Sequence, residues 1–331
     1  MKNTTGIRAK LLLSNTGLLA AGLCALACLA GCKGKASEPL RFGINPWPGY
    51  EFIHLAQVKG FFKANGVEVQ LLDFASLNDN RLGYLRNQID GMAATQIEML
   101  QLIDQTDRKP VAIFPTDYSF GADMVLAGEG IPDVGHLLHK RVALEPGTLT
   151  IFILSRALEK NGLTLDSVTL VPMPQTELPE RWKTKAFDAA VCYPPVSVEL
   201  ETAGMHRVFT SKEIPKEVLD ILIMDQSVLD SRPDDVRRFL KAFGDAQEFR
   251  NTHRAEADSI MAIHMGVTPV EFSRILDQDV HLCGTPEMKG IMAPGGEAER
   301  SLGKVHDVLI KVGSILKALP PGRWIRDDFL P

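Results

Sequence analysis

The chain has 331 residues, with 36 basic and 41 acidic side chains, and its formal net charge is −5 at pH 7. An acidic balance disfavours nucleic acids and other polyanions as partners. After the N-terminal region, no stretch reaches the roughly 18 uninterrupted apolar residues expected of a membrane-spanning helix. We therefore expect a soluble body to follow the N-terminal region.

The first 31 residues have the layout of a secretory signal peptide. Three basic residues precede an apolar stretch over residues 11–30, and the tetrapeptide LAGC occupies positions 29–32. This tetrapeptide resembles the lipobox of bacterial lipoproteins, which implies cleavage before Cys32 and acylation of that cysteine, with palmitate as an expected acyl group. The alternative is an uncleaved membrane helix, although polar residues at 14–16 interrupt the apolar stretch. We predict an exported protein on the periplasmic face of a bacterial membrane, held there by its lipid alone.

The predicted mature chain starts at Cys32 and has 300 residues (331 minus 31), with a net charge of −8 (33 basic against 41 acidic). Residues 32–39 are interpreted as a polar tether between the lipid and the folded body. Cys192 and Cys283 could form a disulfide in an oxidising compartment, but two cysteines in a chain of this length are more often separate buried residues. The sequence contains no C-x-x-C, H-E-x-x-H, G-x-S-x-G or phosphate-loop motif. We therefore predict no cofactor, no metal site and no catalytic residue.

From residue 40 onward, the apolar pattern alternates between strands and helices. The predicted strands are 40–44, 67–71, 91–94 and 111–114. The predicted helices are 52–62, 77–87 and one that starts at Thr95, where Glu98 stands at the spacing of a capping box. Alternation of this kind is typical of βαβ units, with a mostly parallel sheet and helices on both faces.

The same alternation restarts at residue 141. Further strands are predicted at 141–144, 168–171, 187–191 and 207–209, with a helix from Thr148 to Lys160. Two doubly wound units exceed what one core usually holds, so we predict two lobes. The chain is predicted to cross between the lobes at 123–127 and 221–224. Lobe 1 then comprises 40–122 and 225–331, including a mainly helical tail, and lobe 2 comprises 123–224.

Short sequence words recur in order between residues 40 and 230. They are GINPWPGYE at 43–51, GFF at 60–62, DG at 90–91, YSFGAD at 118–123, VALEPG at 142–147, FDAA at 187–190, YPP at 193–195 and the stretch 209–222. In this order they resemble the periplasmic substrate-binding proteins of the nitrate, sulfonate and taurine type, whose fold is shared with thiamine-pyrimidine synthases. The resemblance implies a type II periplasmic-binding-protein fold with two hinge crossings. It also implies a monomer that captures a small molecule and delivers it to an ABC permease.

The candidate ligand contacts follow the predicted strands, because open α/β sheets bind ligands beyond the carboxyl ends of their strands. They are Trp47, Tyr50, Glu51, Thr95, Tyr118, Ser119, Asp123, Glu145, Thr148 and Tyr193. Structural roles remain open for several of them. Trp47 could serve only loop packing, Glu51 could complement a helix dipole, and Asp123 could be a surface hinge residue. Thr95, Glu145 and Thr148 could serve only as helix caps and turn residues.

The residue types in these loops favour a positively charged ligand. The quoted words between residues 43 and 195 combine carboxylates with aromatic rings and contain no arginine or lysine. Such a set suits an amine or a nitrogen heterocycle, including a thiamine-type pyrimidine, through ion pairing and cation–π contact. The alternative is sulfonate, taurine or nitrate held by helix N-termini, for which an arginine or lysine would be expected. Two other classes are a pyrimidine-synthase-like enzyme, which would need a reactive histidine and metal-binding cysteines, and a sensor lobe acting through a partner.

Overall fold

The computed structural model describes residues 38–319 and 324–330. The predicted signal peptide and the lipidation site at Cys32 therefore lie outside the described residues. The strands are β1 Leu40–Ile44, β2 Val69–Asp73, β3 Gly91–Thr95, β4 Pro110–Ser119, β5 Met124–Ala127, β6 Arg141–Leu144, β7 Thr169–Pro172, β8 Ala189–Cys192, β9 His206–Thr210, β10 Leu219–Asp225 and β11 Val280–Leu282.

The helices cover both halves of the chain. They are α1 Glu51–Val58, α2 Phe61–Ala64, α3 Leu77–Leu85, α4 Gln96–Gln105, α5 Thr150–Lys160, α6 Leu178–Lys183, α7 Val196–Thr202, α8 Gln226–Ser231, α9 Pro233–Thr252, α10 Arg254–Met265, α11 Pro269–Gln278, α12 Thr285–Met292 and α13 Glu297–Lys311. Short 3-10 turns occur at Val134–Leu137, Leu165–Ser167, Gln175–Glu177 and Ser211–Glu213. No helix within 38–319 and 324–330 combines the length and apolar character needed to cross a membrane.

The strands form two mixed sheets. The six-stranded sheet has the order β2-β1-β3-β10-β4-β11, and the five-stranded sheet has the order β7-β6-β8-β5-β9. We call these sheets, with their helices, the first and second lobes. The predicted two-lobed periplasmic-binding-protein fold is confirmed. Most strands of each sheet run parallel, but the strand that arrives from the other lobe, β10 or β5, runs antiparallel to its neighbours. The edge strand β11 also runs antiparallel to β4.

The passages between the sheets lie slightly before the predicted crossings in the chain, and the first overlaps its predicted segment only at Asp123. The first passage covers residues 120–123, between β4 and β5, and the second covers 211–218, between β9 and β10. Residues 124–127 and 221–224 instead lie inside sheets, paired with a strand on each side. Their apolar side chains are buried, which explains why a strand within a sheet suits them better than an exposed crossing.

Helix starts place polar groups at the edge of the first sheet. The Ser76 side chain accepts a hydrogen bond from the Asp79 amide and so caps α3. Thr95 ends β3 and caps α4, and the predicted capping box with Glu98 is present. These caps satisfy amides that the helix itself leaves unpaired, and they fix where each helix begins.

The core of the first lobe joins β1 to the helices that follow β10. Phe239 of α9 lies 4.7 Å from Phe42 and 5.2 Å from Phe62, measured between ring centroids. Cys192 ends β8 in the second lobe, whereas Cys283 follows β11 in the first, and both thiols are buried and free. The carboxyl ends of β1 and β3 and the start of β10 face the second lobe.

Candidate ligand-binding site

A small cavity lies between the two lobes, beside the ends of β1, β3 and β8 and the start of β10. Its volume is about 10 Å³, and its lining residues are Asn45, Trp47, Tyr50, Leu77, Thr95, Asp123, Leu149, Tyr193 and Asp220. Pockets for drug-sized ligands usually measure about 300–1,000 Å³. The cleft is therefore nearly closed in this structure.

Five of the residues selected from the sequence line this cavity, namely Trp47, Tyr50, Thr95, Asp123 and Tyr193. They come from both lobes and from segments far apart in the chain. Because the carboxyl ends of parallel strands meet at one edge of a sheet, residues that follow different strands converge there. The cavity thus collects half of the ten selected positions.

The aromatic side chains form one face of the cavity. The Trp47 ring lies 6.3 Å from Tyr50 and 6.3 Å from Tyr193 between centroids, edge-on to the latter. The Tyr193 hydroxyl, from the second lobe, accepts a hydrogen bond from the Leu77 amide at 3.3 Å. These rings give a ligand apolar and π surface, and Tyr193 ties the second lobe to the first helix turn of α3.

Two aspartates lie side by side beneath Trp47 and Tyr50. Asp117 of β4 and Asp220 of β10 are register partners. Trp47 Nε1 donates to Asp117 Oδ1 at 3.1 Å, and the Tyr50 hydroxyl donates to Asp220 Oδ1. Burial raises the pKa of Asp117 to about 6. Burial, and then the charges of Asp117 and Asp123, raise the pKa of Asp220 well above its usual value.

Asp123 faces the same cavity from the first passage between the lobes. It is buried, and its backbone amide donates to Ser119 Oγ at 3.1 Å. Burial raises the pKa of Asp123 to about 7, although the Ser119 hydroxyl opposes this shift. Ser119 also contacts Ser211 of the second passage, at 2.8 Å between hydroxyl oxygens. Ser119 therefore joins the two passages rather than lining the cavity.

Glu98 spans the closed cleft behind Thr95. Its Oε2 accepts a hydrogen bond from the Thr95 amide at 3.0 Å, and its Oε1 accepts one from the Leu149 amide of the second lobe at 2.6 Å. Burial raises the pKa of Glu98, while the hydrogen bonds to it lower the pKa. One side chain thus stabilises helix starts in both lobes.

Glu145 and Thr148 lie behind the cavity wall in the second lobe. The Tyr193 hydroxyl points towards Glu145 Oε2 at 3.5 Å. Thr148 Oγ1 donates to the Glu145 carbonyl at 2.9 Å, which matches the turn role left open for it. Burial raises the pKa of Glu145 to about 7. Glu145 can therefore act on a ligand through Tyr193, while Thr148 shapes the turn.

Glu51 and Tyr118 lie away from the cavity. Glu51 is buried on α1, where its Oε2 lies 2.7 Å from His264 Nδ1. Its neighbour Tyr50 faces the cavity, and a step of one helical residue turns the side chain away. Tyr118 was expected in a loop, but β4 continues to Ser119. Consecutive strand residues point to opposite faces, so Asp117 faces Trp47 and Tyr118 packs near His281 instead.

Sequence reasoning missed four lining residues, namely Asn45, Leu77, Leu149 and Asp220, and it also missed the neighbouring Asp117 as a contact. Asp220 carried a usable signal, because it is the one acid inside the apolar run LDILIM at 219–224. A buried acid in such a run needs a partner or a function. Leu77 and Leu149 carried none, because they face the cavity only when the lobes approach each other.

The cavity is acidic. None of its lining residues is basic within the described part of the chain. Arg81 of α3 acts electrostatically on Glu98 and Glu145, but its guanidinium is bound by Asn78 and Gln105. The arrangement can therefore neutralise a cation and offer aromatic contact to it.

The fold and this cleft define a periplasmic-binding-protein architecture. Residues 33–265 match the model of the NMT1-like family, so the chain belongs to that family. An inferred binding protein of Brucella abortus (strain 2308) is 23% identical over 308 residues, which cover 88% of this chain and 91% of that protein.

Solved structures show the same architecture at low sequence identity. The alkanesulfonate-binding protein SsuA of Xanthomonas axonopodis pv. citri, bound to MOPS, aligns with a TM-score of 0.70 at 16% identity, over 88% of this chain and 97% of its own. The desulfurization enzyme DSZB aligns with a TM-score of 0.66 at 15% identity, over 88% and 97% of the two chains. The fold therefore occurs in both a binding protein and an enzyme.

Proposed function

We propose that this protein is an exported solute-binding protein that captures a small nitrogen-containing cation and delivers it to an ABC-type permease. One observation carries the choice of ligand: buried Asp117, Asp123 and Asp220 gather at an aromatic cavity whose lining has no basic residue in the described chain. Membership of the NMT1-like family and the binding proteins among its relatives support the transport role. Catalysis is not part of the proposal.

Recognition combines two kinds of contact. A cationic group near Asp123 and Asp220 gains charge-assisted hydrogen bonds, each contributing about 1.5–3 kcal/mol. The rings of Trp47, Tyr50 and Tyr193 add cation–π contacts of about 0.5–2 kcal/mol. Because Trp47 and Tyr50 belong to the first lobe and Tyr193 to the second, a bound ligand favours approach of the lobes.

Closure is proposed to occur about the passages at residues 120–123 and 211–218. Two hydrogen bonds join the lobes at the cavity: Leu77 to Tyr193, and Leu149 to Glu98. Hinge motion of this kind sequesters a ligand and changes the surface that a permease meets. Small-angle scattering should give a smaller radius of gyration with saturating ligand than without it. An unchanged radius would refute hinge closure.

The proposal also places the protein outside the cytoplasm, attached through lipid at Cys32 and acting as a monomer. The tetrapeptide LAGC at 29–32 and the polar tether after it support the anchor. A solute-binding protein held beside the membrane delivers its ligand over a short distance. Native mass spectrometry of the detergent-extracted protein tests both the acyl mass and the monomer.

The competing ligands are sulfonate, taurine and nitrate, since SsuA is named as an alkanesulfonate-binding protein. An anion in this cavity would meet the carboxylates of Asp123 and Asp220 without a lining arginine or lysine. Repulsion of this kind disfavours binding. We therefore place the anions second.

Calorimetric titration decides between the two ligand classes. The cations are benzamidine, benzylamine and 4-aminopyrimidine at a pH that protonates each, and the anions are methanesulfonate, taurine and nitrate. We expect a cation to bind and to stabilise the protein by about 2.7 kcal/mol at 100 times its Kd. Asp123→Asn should weaken cation binding, while Asp234→Asn, an exposed charge change on α9, should not. Binding of an anion alone, unaffected by Asp123→Asn, would overturn the proposed ligand class.

A further inference from the structure

We propose that Asp117 and Asp220 select the ligand: without ligand they share one proton, and a cation that carries an N–H donor displaces that proton into solvent. This inference rests on the proposed function, because it requires a cation to bind in the cleft. It adds a requirement for hydrogen-bond donors to the requirement for positive charge. It also makes capture dependent on pH.

The two carboxyl groups are held against each other by the backbone. Asp117 and Asp220 are opposite each other on adjacent strands, and each carboxyl group acts on the pKa of the other. Asp117 Oδ1 accepts a hydrogen bond from the Trp47 indole, and Asp220 Oδ1 accepts one from the Tyr50 hydroxyl. Gly49 closes the other side, since a Cβ there would lie 1.9 Å from Asp117 Oδ2. The pair therefore has little freedom to separate.

Both carboxyl groups leave one oxygen unsatisfied. Asp117 Oδ2 and Asp220 Oδ2 are buried and have no hydrogen-bond partner among the described residues. Asp117 and Asp220 are 0% and 1% exposed, so bulk solvent does not reach their carboxyl groups. Two adjacent buried carboxylates also repel each other, and such a pair retains a proton. One shared proton removes one charge and gives the pair a donor.

The surroundings reinforce proton retention. The titratable groups that act on the pair from its neighbouring elements are Asp123, Glu98, Tyr50, Cys283 and His281. The Tyr50 hydroxyl opposes retention, because its hydrogen bond lowers the pKa of Asp220. The Trp47 indole and the charge of His281 of β11 also oppose it, because they lower the pKa of Asp117. Burial outweighs them. The pair therefore holds a proton near neutral pH.

A cation can replace both the charge and the donor that this proton supplies. Asp220 lines the cavity, so its carboxyl group faces the ligand, whereas Asp117 Oδ2 lies against Gly49. A positive charge cancels the repulsion between the carboxylates, and an N–H group satisfies the unsatisfied oxygen of Asp220. The O–H bond breaks, the proton leaves to buffer, and an N–H···O hydrogen bond forms. A quaternary ammonium supplies the charge but no donor.

Infrared difference spectroscopy tests the shared proton without any ligand. The protein at pH 7 should show a protonated carboxyl band that loses intensity in Asp220→Asn and persists in Asp234→Asn. Circular dichroism checks that each variant is folded. Asp117→Asn serves as a second variant, because its amide can donate to Asp220 Oδ2 and allow that carboxyl to ionise. If neither variant loses carboxyl intensity, the shared proton does not exist and the inference is overturned.

Calorimetry in two buffers of different ionisation enthalpy then measures proton release. Benzamidine should release about one proton per site from the pair near pH 6, besides any proton from Asp123, whose pKa is also raised. Its affinity should rise by up to about tenfold per pH unit below the titration of the pair. Benzyltrimethylammonium, which has the same charge and ring size but no N–H group, should bind at least about tenfold more weakly. Release should fall by about one proton in Asp220→Asn and be unchanged in Asp234→Asn.

Each result separates the inference from the proposed function. Benzamidine binding with no proton release, or with release unchanged in Asp220→Asn, overturns the inference and leaves the cation-binding function standing. Equal affinity for benzyltrimethylammonium overturns the donor requirement. If no cation binds, the proposed ligand class is wrong and displacement fails with it, while the infrared band still decides whether the proton is shared.

Discussion

Replacement of Glu98 tests whether one side chain couples the fold of the first lobe to closure of the second. The Glu98 carboxylate accepts hydrogen bonds from the amides of Thr95 and Leu149, one in each lobe. Glu98→Ala leaves both amides without this acceptor. Burial of both residues keeps water from replacing it. The change should therefore destabilise the protein and weaken ligand binding together.

The magnitude follows from the two donors. A buried donor without a partner costs about 1–3 kcal/mol, which gives about 2–6 kcal/mol for the pair. Burial of the carboxylate offsets part of this loss, because the raised pKa of Glu98 shows that its charge is itself disfavoured there. We expect a loss of about 2–3 kcal/mol for Glu98→Ala. Glu98→Gln keeps one acceptor oxygen and should lose about half as much.

Urea unfolding followed by circular dichroism measures the stability of each variant. Glu180→Ala on α6 is the matched control, because the Glu180 side chain is exposed and its removal should change stability by under about 0.5 kcal/mol. Calorimetric titration with benzamidine measures the effect on binding. A Glu98→Ala protein that is as stable as wild type, or a Glu98→Gln protein that is less stable than Glu98→Ala, would refute the reasoning.

Three further perturbations have defined outcomes. Burial opposes the charge of His264, but hydrogen bonds and charges from Asp73 and Glu51 outweigh it and raise the pKa of His264 to about 10. Since the folded pKa lies above the unfolded one, this stabilisation is complete below about pH 6.5 and lost as pH rises towards 10. His264→Gln should therefore reduce the free energy of unfolding by about 1.5–3 kcal/mol at pH 6 and by less at pH 10. Urea titrations at the two pH values measure this difference. An equal loss at both would show that the charge of His264 is not the source of the stabilisation. Gly49→Ala places a Cβ 1.9 Å from Asp117 Oδ2, so it should destabilise the protein by about 1–3 kcal/mol and alter Trp47 fluorescence. The control is Gly244→Ala in α9, where a Cβ meets nothing within 4 Å, and this change should be neutral or stabilising. Equal melting temperatures for the two variants would argue against the close contact. Cys32→Ala should abolish membrane association in cell fractionation while leaving the folded body intact, because stable anchoring requires acyl chains. A Cys32→Ala protein that is still labelled with lipid would disprove the lipid anchor at this residue.

Local signals explain why much of the fold could be predicted. Thr95 and Glu98 stand three residues apart, and the capping box forms because both partners lie within one helix turn. The alternation of strands and helices before and after residue 141 likewise predicted two sheets, since each unit forms from neighbouring residues. Boundaries were less secure: the predicted strand 111–114 extends to Ser119 because β10 and β11 pair with its continuation.

Most site residues that follow a strand were predicted from the sequence. The site residues that are brought in by the pairing of distant strands or by contact between the lobes were missed. Trp47, Thr95 and Tyr193 each come just after or at the end of a strand, so their convergence follows from sheet topology. Asp220 is at the beginning of β10, and it meets Asp117 only because β10 inserts antiparallel between β3 and β4. No spacing along the chain encodes that neighbour, which is 103 residues away (220 minus 117).

The sequence by itself determined the alternation of strands and helices and the acidic character of the cleft loops, and it predicts an export signal that ends before Cys32. These properties depend on residue type and on neighbours within a few positions. Only the tertiary structure decided that Glu51 pairs with His264, that Tyr118 faces away from the cavity, and that Asp117 and Asp220 share one buried space. The physical reason is that burial and the pairing of distant strands set a carboxyl group's solvation and partners, and neither is a property of the residue alone.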